Sequence, residues 1–404
     1  MKRTRRYAGL IAAGLLVYLS VLPVELAAVR FSRTQITGID IQAVHAALKK
    51  AMARTRFPET LQLKSKGKWS EVDVEYTVRP DLESYLDDIY DRYEPDYAAF
   101  FAMNASTGEV LAYSDFVKNP EDDVYGHLAL QALFPAASVF KVVTAAAALD
   151  RGDVEPDTIM PYNGKSTSLY KKQVFRHTEN KWTRHPTLKK AFATSINTVF
   201  ARLGVYQLGA DTMSDYAHRF AFNRYDVFTD LPIDLGHSDI ENDKWVLAEV
   251  ASGYTRRNTL SPVHGAMLAS AIATDGRIAV PYAVERLTSD SGWPVYVGAP
   301  RHLAYAIEPD TVKKMRTLMR ETVIRGSASH AFRGFDRDDV DVGGKTGSLT
   351  GEHPEGRNEW FIGYAARGDD RIAFASLTVS KKYWRVKPAY VARKFVEKYF
   401  EPSD

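Results

Sequence analysis

The sequence predicts a mixed α+β fold, and three observations predict it. Two pairs of apolar strand patterns stand far apart in the chain: Ala98 to Met103 with Glu109 to Tyr113, and Glu359 to Tyr364 with Arg371 to Val379. Between them the pattern turns helical and small, above all in Val142-Val-Thr-Ala-Ala-Ala-Ala148-Leu149 and over residues 245–275. The chain then closes on Pro388 to Phe400, where Val391, Phe395, Val396 and Tyr399 make an apolar stripe suited to covering a sheet. A length of 404 residues fits one large domain or two smaller ones.

Composition narrows the chemistry. The chain has no cysteine, which excludes disulfides, zinc thiolate sites and cysteine nucleophiles. A net charge of +3 is too balanced to point to nucleic acid. The histidines show no His-Glu-x-x-His or similar spacing, so no metal and no cofactor is expected.

Taken in order, residues 1–6 are basic and Tyr7 to Val24 is almost wholly apolar, with Ser20 and Pro23 as exceptions. A basic flank stays in the cytoplasm, so 1–6 reads as a cytoplasmic tail and 7–28 as a transmembrane signal-anchor. A cleaved signal peptide is the competing reading, with Val24-Glu-Leu-Ala27-Ala28 as a poor cleavage site. Either way the bulk of the chain is exported. Residues 29–71 form a short juxtamembrane segment. In it, Ile41, Val44, Leu48 and Ala51 have helical spacing, so 40–54 is expected as an amphipathic helix packed on the main domain. Lys64-Ser-Lys-Gly-Lys68 reads as a loop.

The main domain is assigned to 72–404. Val72 to Thr77 alternates as a strand, and Asp81 to Tyr93 reads as a helix. Asn104-Ala-Ser-Thr-Gly108 has turn chemistry, so the strands on either side of it form a hairpin. The basic, aromatic stretch from Lys171 to Lys190 could suggest nucleic acid; outside the cytoplasm it reads as a solvated loop or hairpin. Thr187 to Gly204 is helical on both sides of Ser195. Residues 245–275 read as two helices around a loop, and Glu308 to Val323 as another helix with Pro309 in its first turn. Val340 to Ser348 is a glycine-rich strand. Its Gly344-Lys345-Thr346 is no phosphate-binding loop, because Asp339 stands where that motif needs glycine and strands follow it.

The stretch Phe134-Pro-Ala-Ala-Ser138-Val-Phe-Lys141 carries the chemistry. Pro135 and two small residues lead into a helix, so Ser138 sits near its N-terminus. Ser138 and Lys141 are one turn apart and share a face. The unpaired N–H groups of a first turn favour an alkoxide there and disfavour a second cation. A buried Lys141 would lose its proton and could take that of Ser138. Alone, such a serine is more often a simple helix cap. The same holds for Ser195 and Asn197, which flank the apolar Ile196 in a loop between two helices and would point the same way.

Together, Ser138-Val-Phe-Lys141, Ser195-Ile-Asn197 and Lys345-Thr-Gly347 resemble, in order and separation, the transpeptidase domain of penicillin-binding proteins. The flanks are similar too: the hairpin from Ala99 to Tyr113, the segment from Thr259 to Gly276, and the turn at Arg325-Gly-Ser-Ala328. The resemblance runs from about Val72 to the C-terminus. It implies a five-stranded antiparallel sheet flanked by helices, with a helical subdomain and the site between them. It implies that Ser138 attacks a D-alanyl-D-alanine stem peptide with Lys141 as base. Ser195 would pass a proton to the leaving amine, and Lys345 would supply positive charge. Asn197 would hold Lys141 and the substrate amide, Thr346 the terminal carboxylate. Gly347 and Ser348 complete the substrate strand, and the N–H groups of Ser138 and Ser348 make the oxyanion hole.

The implied function is peptidoglycan D,D-transpeptidation from the bacterial inner membrane, inhibited covalently by β-lactams. A D,D-carboxypeptidase and a non-catalytic β-lactam sensor or scaffold are the alternatives. Only about 45 residues separate the span from the domain, below the size of an ordinary independent domain. No glycosyltransferase domain is therefore expected, and a separate membrane glycosyltransferase is the implied partner. Two positions depart from the family pattern: Ser348 replaces the commoner threonine, and Ser252-Gly-Tyr254 replaces Gly-Gln-Gly.

Overall fold

A computed structural model of the protein describes residues 39–402, apart from 66–67, 120, 122–125 and 177. The expected tail 1–6 and span 7–28 lie outside the described residues. Among the described ones, no helix is long and apolar enough to cross a membrane.

The five-stranded antiparallel sheet is present. Its strands are β1 (Tyr97–Asn104), β2 (Val110–Val117), β3 (Asp341–Glu352), β4 (Glu355–Arg367) and β5 (Asp370–Ser380), in the order β3-β4-β5-β1-β2. The β1–β2 hairpin closes as its turn chemistry requires. Asn104 Oδ1 accepts from the N–H groups of Ser106 and Thr107 at 2.8 and 3.1 Å. The hydrogen-bonded order places the chain's last strand, β5, beside β1, so the two distant strand pairs seen in the sequence become one sheet.

Both faces of the sheet are covered. On one lies the helix Pro262–Ala273, buried all round, and beyond it the helix Lys141–Asp150 that follows Ser138. On the other lie the helices Pro80–Tyr93 and Pro388–Tyr399. Phe395 of the closing helix sits 4.7 Å, ring to ring, from Phe100 of β1. Full burial of one such phenylalanine is worth roughly 2–3 kcal/mol. The stripe read from the sequence is therefore the contact that holds the last helix.

The expected helix near the start is Ile41–Met52, capped by Asp40 Oδ1 accepting from Ala43 N–H at 2.9 Å. Its Val44, Leu48 and Met52 are buried in the main core. The expected loop at 64–68 is a hairpin instead. Strand Thr60–Ser65 pairs with Lys68–Tyr76, with Lys64 opposite Trp69. The reason is Leu61 and Leu63, both buried, whose alternation carries the strand to the tip. Strands Val284–Ser289 and Pro294–Val297 join that hairpin in a four-stranded sheet that the sequence reading did not contain.

Candidate active site

Ser138 is set by a short, constrained approach. Phe134–Pro135 pairs with Thr259–Leu260, and Ala137 then takes a left-handed φ of +49°. Ala137–Phe140 forms a 3₁₀ turn, and the α-helix begins only at Lys141. The serine thus sits one tight turn ahead of the helix. Tight turns of this kind are common at helix starts. Trp360 locks the approach from below, its Nε1–H donating to Pro135 C=O at 2.9 Å.

Lys141 is fully buried. Its Nζ lies 2.7 Å from Ser138 Oγ, 2.8 Å from Asn197 Oδ1 and 2.5 Å from Ser252 C=O. Burial pushes its pKa well down from the usual lysine range, and the charge of Lys345 pushes it further. The partner set fits the neutral amine. Asn197 Oδ1 and the Ser252 carbonyl can only accept, which uses the two N–H groups. The lone pair is left facing Ser138, the one partner with a proton to give.

Asn197 opens the helix Asn197–Leu203. Its N–H donates to Ser166 C=O at 2.8 Å and its Nδ2 to Thr167 C=O at 2.9 Å, so its Oδ1 is turned to the lysine. Ser195 lies in the turn before it, with φ +57°. Its Oγ accepts from Lys345 Nζ at 3.0 Å. Lys345, on β3, also donates to Thr346 C=O at 2.7 Å. It is fully buried, and burial lowers its pKa to about 7. Among the described residues neither lysine has a carboxylate partner. Instead Lys141 faces the ring of Phe200 at 5.7 Å and Lys345 that of Phe192 at 5.5 Å.

β3 is an edge strand, and its backbone faces the cleft. Thr346 C=O is held by Lys345, and Thr350 C=O accepts from Arg256 Nε at 2.8 Å. Both point off the sheet, so the period of two turns the N–H of Ser348 outward as well. Gly347 abuts the nucleophile turn: a Cβ there would lie 3.3 Å from Val139 N and 3.4 Å from Ala137 Cβ. Thr346 Oγ1 shares a 2.5 Å hydrogen bond with Ser327 Oγ. Ser327, Thr346, Gly347, Ser348 and Thr350 line one cleft of about 1130 Å³.

The structure gathers all eight candidate residues, Ser138, Lys141, Ser195, Asn197, Lys345, Thr346, Gly347 and Ser348, around this cleft. Three contributors were missed from the sequence. The Ser252 carbonyl, the Ser327 hydroxyl and the Arg256 side chain carry no motif of their own. The signals for them were the Ser252-Gly-Tyr254 loop, which stands out as a departure from the family pattern, and the Gly326 turn, which resembles a flank.

The model for the penicillin binding protein transpeptidase domain matches residues 98–398. The chain belongs to that family. It is 28% identical over 283 residues to the peptidoglycan D,D-transpeptidase PbpA of Mycolicibacterium smegmatis, covering 67% of this chain and 56% of that one. The chain thus spans little more than half of that relative's length. Among solved structures, the D,D-transpeptidase domain of a peptidoglycan glycosyltransferase from Eggerthella lenta superposes with TM-score 0.67 at 22% identity, over 85% of this chain and 95% of that one. The imipenem acyl-enzyme complex of penicillin-binding protein A from Mycobacterium tuberculosis superposes with TM-score 0.64 at 24% identity, over 81% and 79%. At these identities the superpositions establish the fold.

Proposed function

We propose that this protein is a peptidoglycan D,D-transpeptidase that crosslinks stem peptides through a Ser138 acyl-enzyme and is inhibited covalently by β-lactams. The observation that carries the reading is Lys141: a buried lysine with two pure acceptors and one hydroxyl, held as a neutral base against Ser138. Acylation by imipenem in the solved relative supports the same chemistry here.

Lys141 Nζ takes the Ser138 proton as Oγ bonds to the carbonyl carbon of the penultimate D-alanine. The oxyanion is met by the N–H groups of Ser138 and Ser348. The C–N bond then breaks. The leaving nitrogen receives, through Ser195, the proton that Lys141 took up, so D-alanine departs and Lys141 is a neutral base again. Lys345, protonated, lends its charge to that relay and to the substrate's terminal carboxylate, which Thr346 holds with Ser327 beside it. An acceptor amine next attacks the ester carbonyl. Its proton returns through Lys141 to Ser138 Oγ as the C–O bond breaks. Asn197 keeps Lys141 in line and meets the substrate amide.

The same reading assigns 1–6 to the cytoplasm, 7–28 to a single span in the bacterial inner membrane, 29–71 to a juxtamembrane segment and 72–404 to the catalytic domain. The basic flank and apolar run support it. A separate membrane glycosyltransferase would supply the glycan strands. Reporters fused after Gln35 are expected to be active only outside the cytoplasm; cytoplasmic activity would reverse the topology.

The deciding experiment is incubation with a pentapeptide and a D-amino acid acceptor, read by mass spectrometry. Exchange of the terminal D-alanine supports transpeptidation. Shortened peptide alone identifies a D,D-carboxypeptidase, and no turnover a sensor or scaffold. Ser138→Ala is expected to abolish both product and covalent penicillin labelling. Labelling retained on another serine would overturn the assignment.

A further inference from the structure

The cleft extends past the reacting serine along β3. Register sets Ser348 opposite Glu359 and Thr350 opposite Arg357, so these four side chains share one face of the sheet. The loop after β5 folds back over that face. Its Lys387 Nζ donates to both carboxylate oxygens of Glu359, at 2.7 and 2.8 Å, and lies 4.7 Å from the Trp384 ring. Arg357 stands 3.6 Å from the same carboxylate with its own side chain 65% exposed. Arg385 lines the same cleft. Glu94, which feels the Arg385 charge, is already paired with Lys118 at 3.0 Å.

Two cations, Arg357 and Lys387, flank one carboxylate, Glu359, and a third, Arg385, lines the same cleft. Glu359 is nearly buried and is committed to Lys387, the only one of the three at direct hydrogen-bond distance. The two arginines leave an excess of positive charge facing the groove. Trp384, 63% exposed, offers an apolar wall beside it. Arginine and an aromatic face together suit a carboxylate carried on a short aliphatic stem.

We infer that this end of the cleft is a subsite that selects peptide donors bearing a side-chain carboxylate. The inference rests on the transpeptidase reading above, which places the terminal carboxylate at Thr346 and the scissile carbonyl beside Ser348. Thr350 lies on the opposite side of Ser348 from Thr346. Two strand residues advance roughly 7 Å, and an extended peptide on the edge of β3 advances at the same rate. The recognised carboxylate thus belongs to a residue about two positions before the reacting one.

The test uses the full chain and two D-alanyl-D-alanine peptides. They are identical except that one carries a side-chain carboxylate at that residue and the other its primary amide. The readout is the ratio of their kcat/KM values, so any general loss of activity in a variant divides out. The wild type is expected to favour the acid by about fivefold or more, and less so as salt rises. Arg357→Gln with Arg385→Gln should bring the ratio to about one, and Arg385→Glu should reverse it. A wild-type ratio of one, or a preference unchanged in the double variant, overturns the subsite. Fluorescent penicillin labelling of the same samples separates the two levels. Labelling with a ratio of one sinks only the subsite, whereas no labelling sinks the transpeptidase reading and the subsite with it.

Discussion

Gly253→Ala tests whether the loop after the helix Lys244–Ser252 sets the nucleophile. Gly253 has φ +63°, and a Cβ there would lie 2.5 Å from Ala137 C and 3.0 Å from Ser138 N, closer still to Ala137 O. Ordinary carbon contacts are about 3.5–4.0 Å, so the loop and the nucleophile turn must part by about 1 Å. Neither partner is a flexible side-chain end; both are backbone. The neighbouring Ser252 carbonyl, 2.5 Å from Lys141 Nζ, moves with the loop and takes one of the lysine's acceptors with it. A misplacement of this size in a reacting group costs on the order of 100-fold in rate.

The stability effect should be small by comparison. A left-handed alanine costs roughly 1–2 kcal/mol, which moves the melting point of a chain this long by only a few degrees. Gly152→Ala supplies the control. Gly152 has φ +74° but nothing within 4 Å of its added Cβ, so it carries the backbone cost without the collision. The assay is the second-order rate of covalent labelling by fluorescent penicillin, with thermal melts of the same proteins. The expected result is a Tm loss in both variants, larger in Gly253→Ala because only it adds the collision, and a rate loss of about 100-fold only in Gly253→Ala. A labelling rate within twofold of wild type would refute the argument that this contact positions Ser138.

Two further outcomes follow from the buried titratable groups. Acylation, followed as labelling rate against pH, should be bell-shaped: it falls in acid as Lys141 takes up a proton, and falls above about 7 as Lys345 loses its own. A flat profile from about pH 6 to about pH 9 would contradict these roles for the two lysines. His264 concerns stability instead. Its Nδ1 accepts from Gly236 N–H and its Nε2–H donates to Phe220 C=O, each at 2.8 Å, and burial holds its pKa down to about 4. The unfolded histidine titrates near 6.5, so the unfolded state binds more protons between the two values and stability rises with pH there. The contribution is complete above about 6.5 and is lost as pH falls towards 4, in total about 3 kcal/mol. Urea unfolding of wild type and His264→Gln at both ends of that window should differ by about this amount; equal pH slopes would remove His264 as the cause.

What could be read from the sequence divides by how much each feature depends on its neighbours. Ser138 and Lys141 are one helical turn apart, so their contact is local and their spacing alone announces it. The strands of the central sheet are long, and β5 is buried over most of its length, so its apolar run is plain. The outer strands bury little: Arg301–Tyr305 is exposed at four of its five positions. A strand with no buried face has no alternation to read; Arg277–Val280 buries three of its four positions but is too short a run to stand out as a strand.

The site shows the same limit in its energetics. That a lysine follows Ser138 by three residues is visible in the sequence; that it is neutral is not. Its protonation state is decided first by burial, for which Asn197, 56 residues away, and Ser252, 111 residues away, close around it, and then by the charge of Lys345 on β3. Replace that surrounding with water and the same Ser-x-x-Lys pair would hold an ordinary ammonium beside an ordinary hydroxyl. The base exists because several segments close around one amine and give it acceptors but no counter-charge. The residues that supply those acceptors through the backbone, such as Ser252, leave no trace in a pattern of side chains.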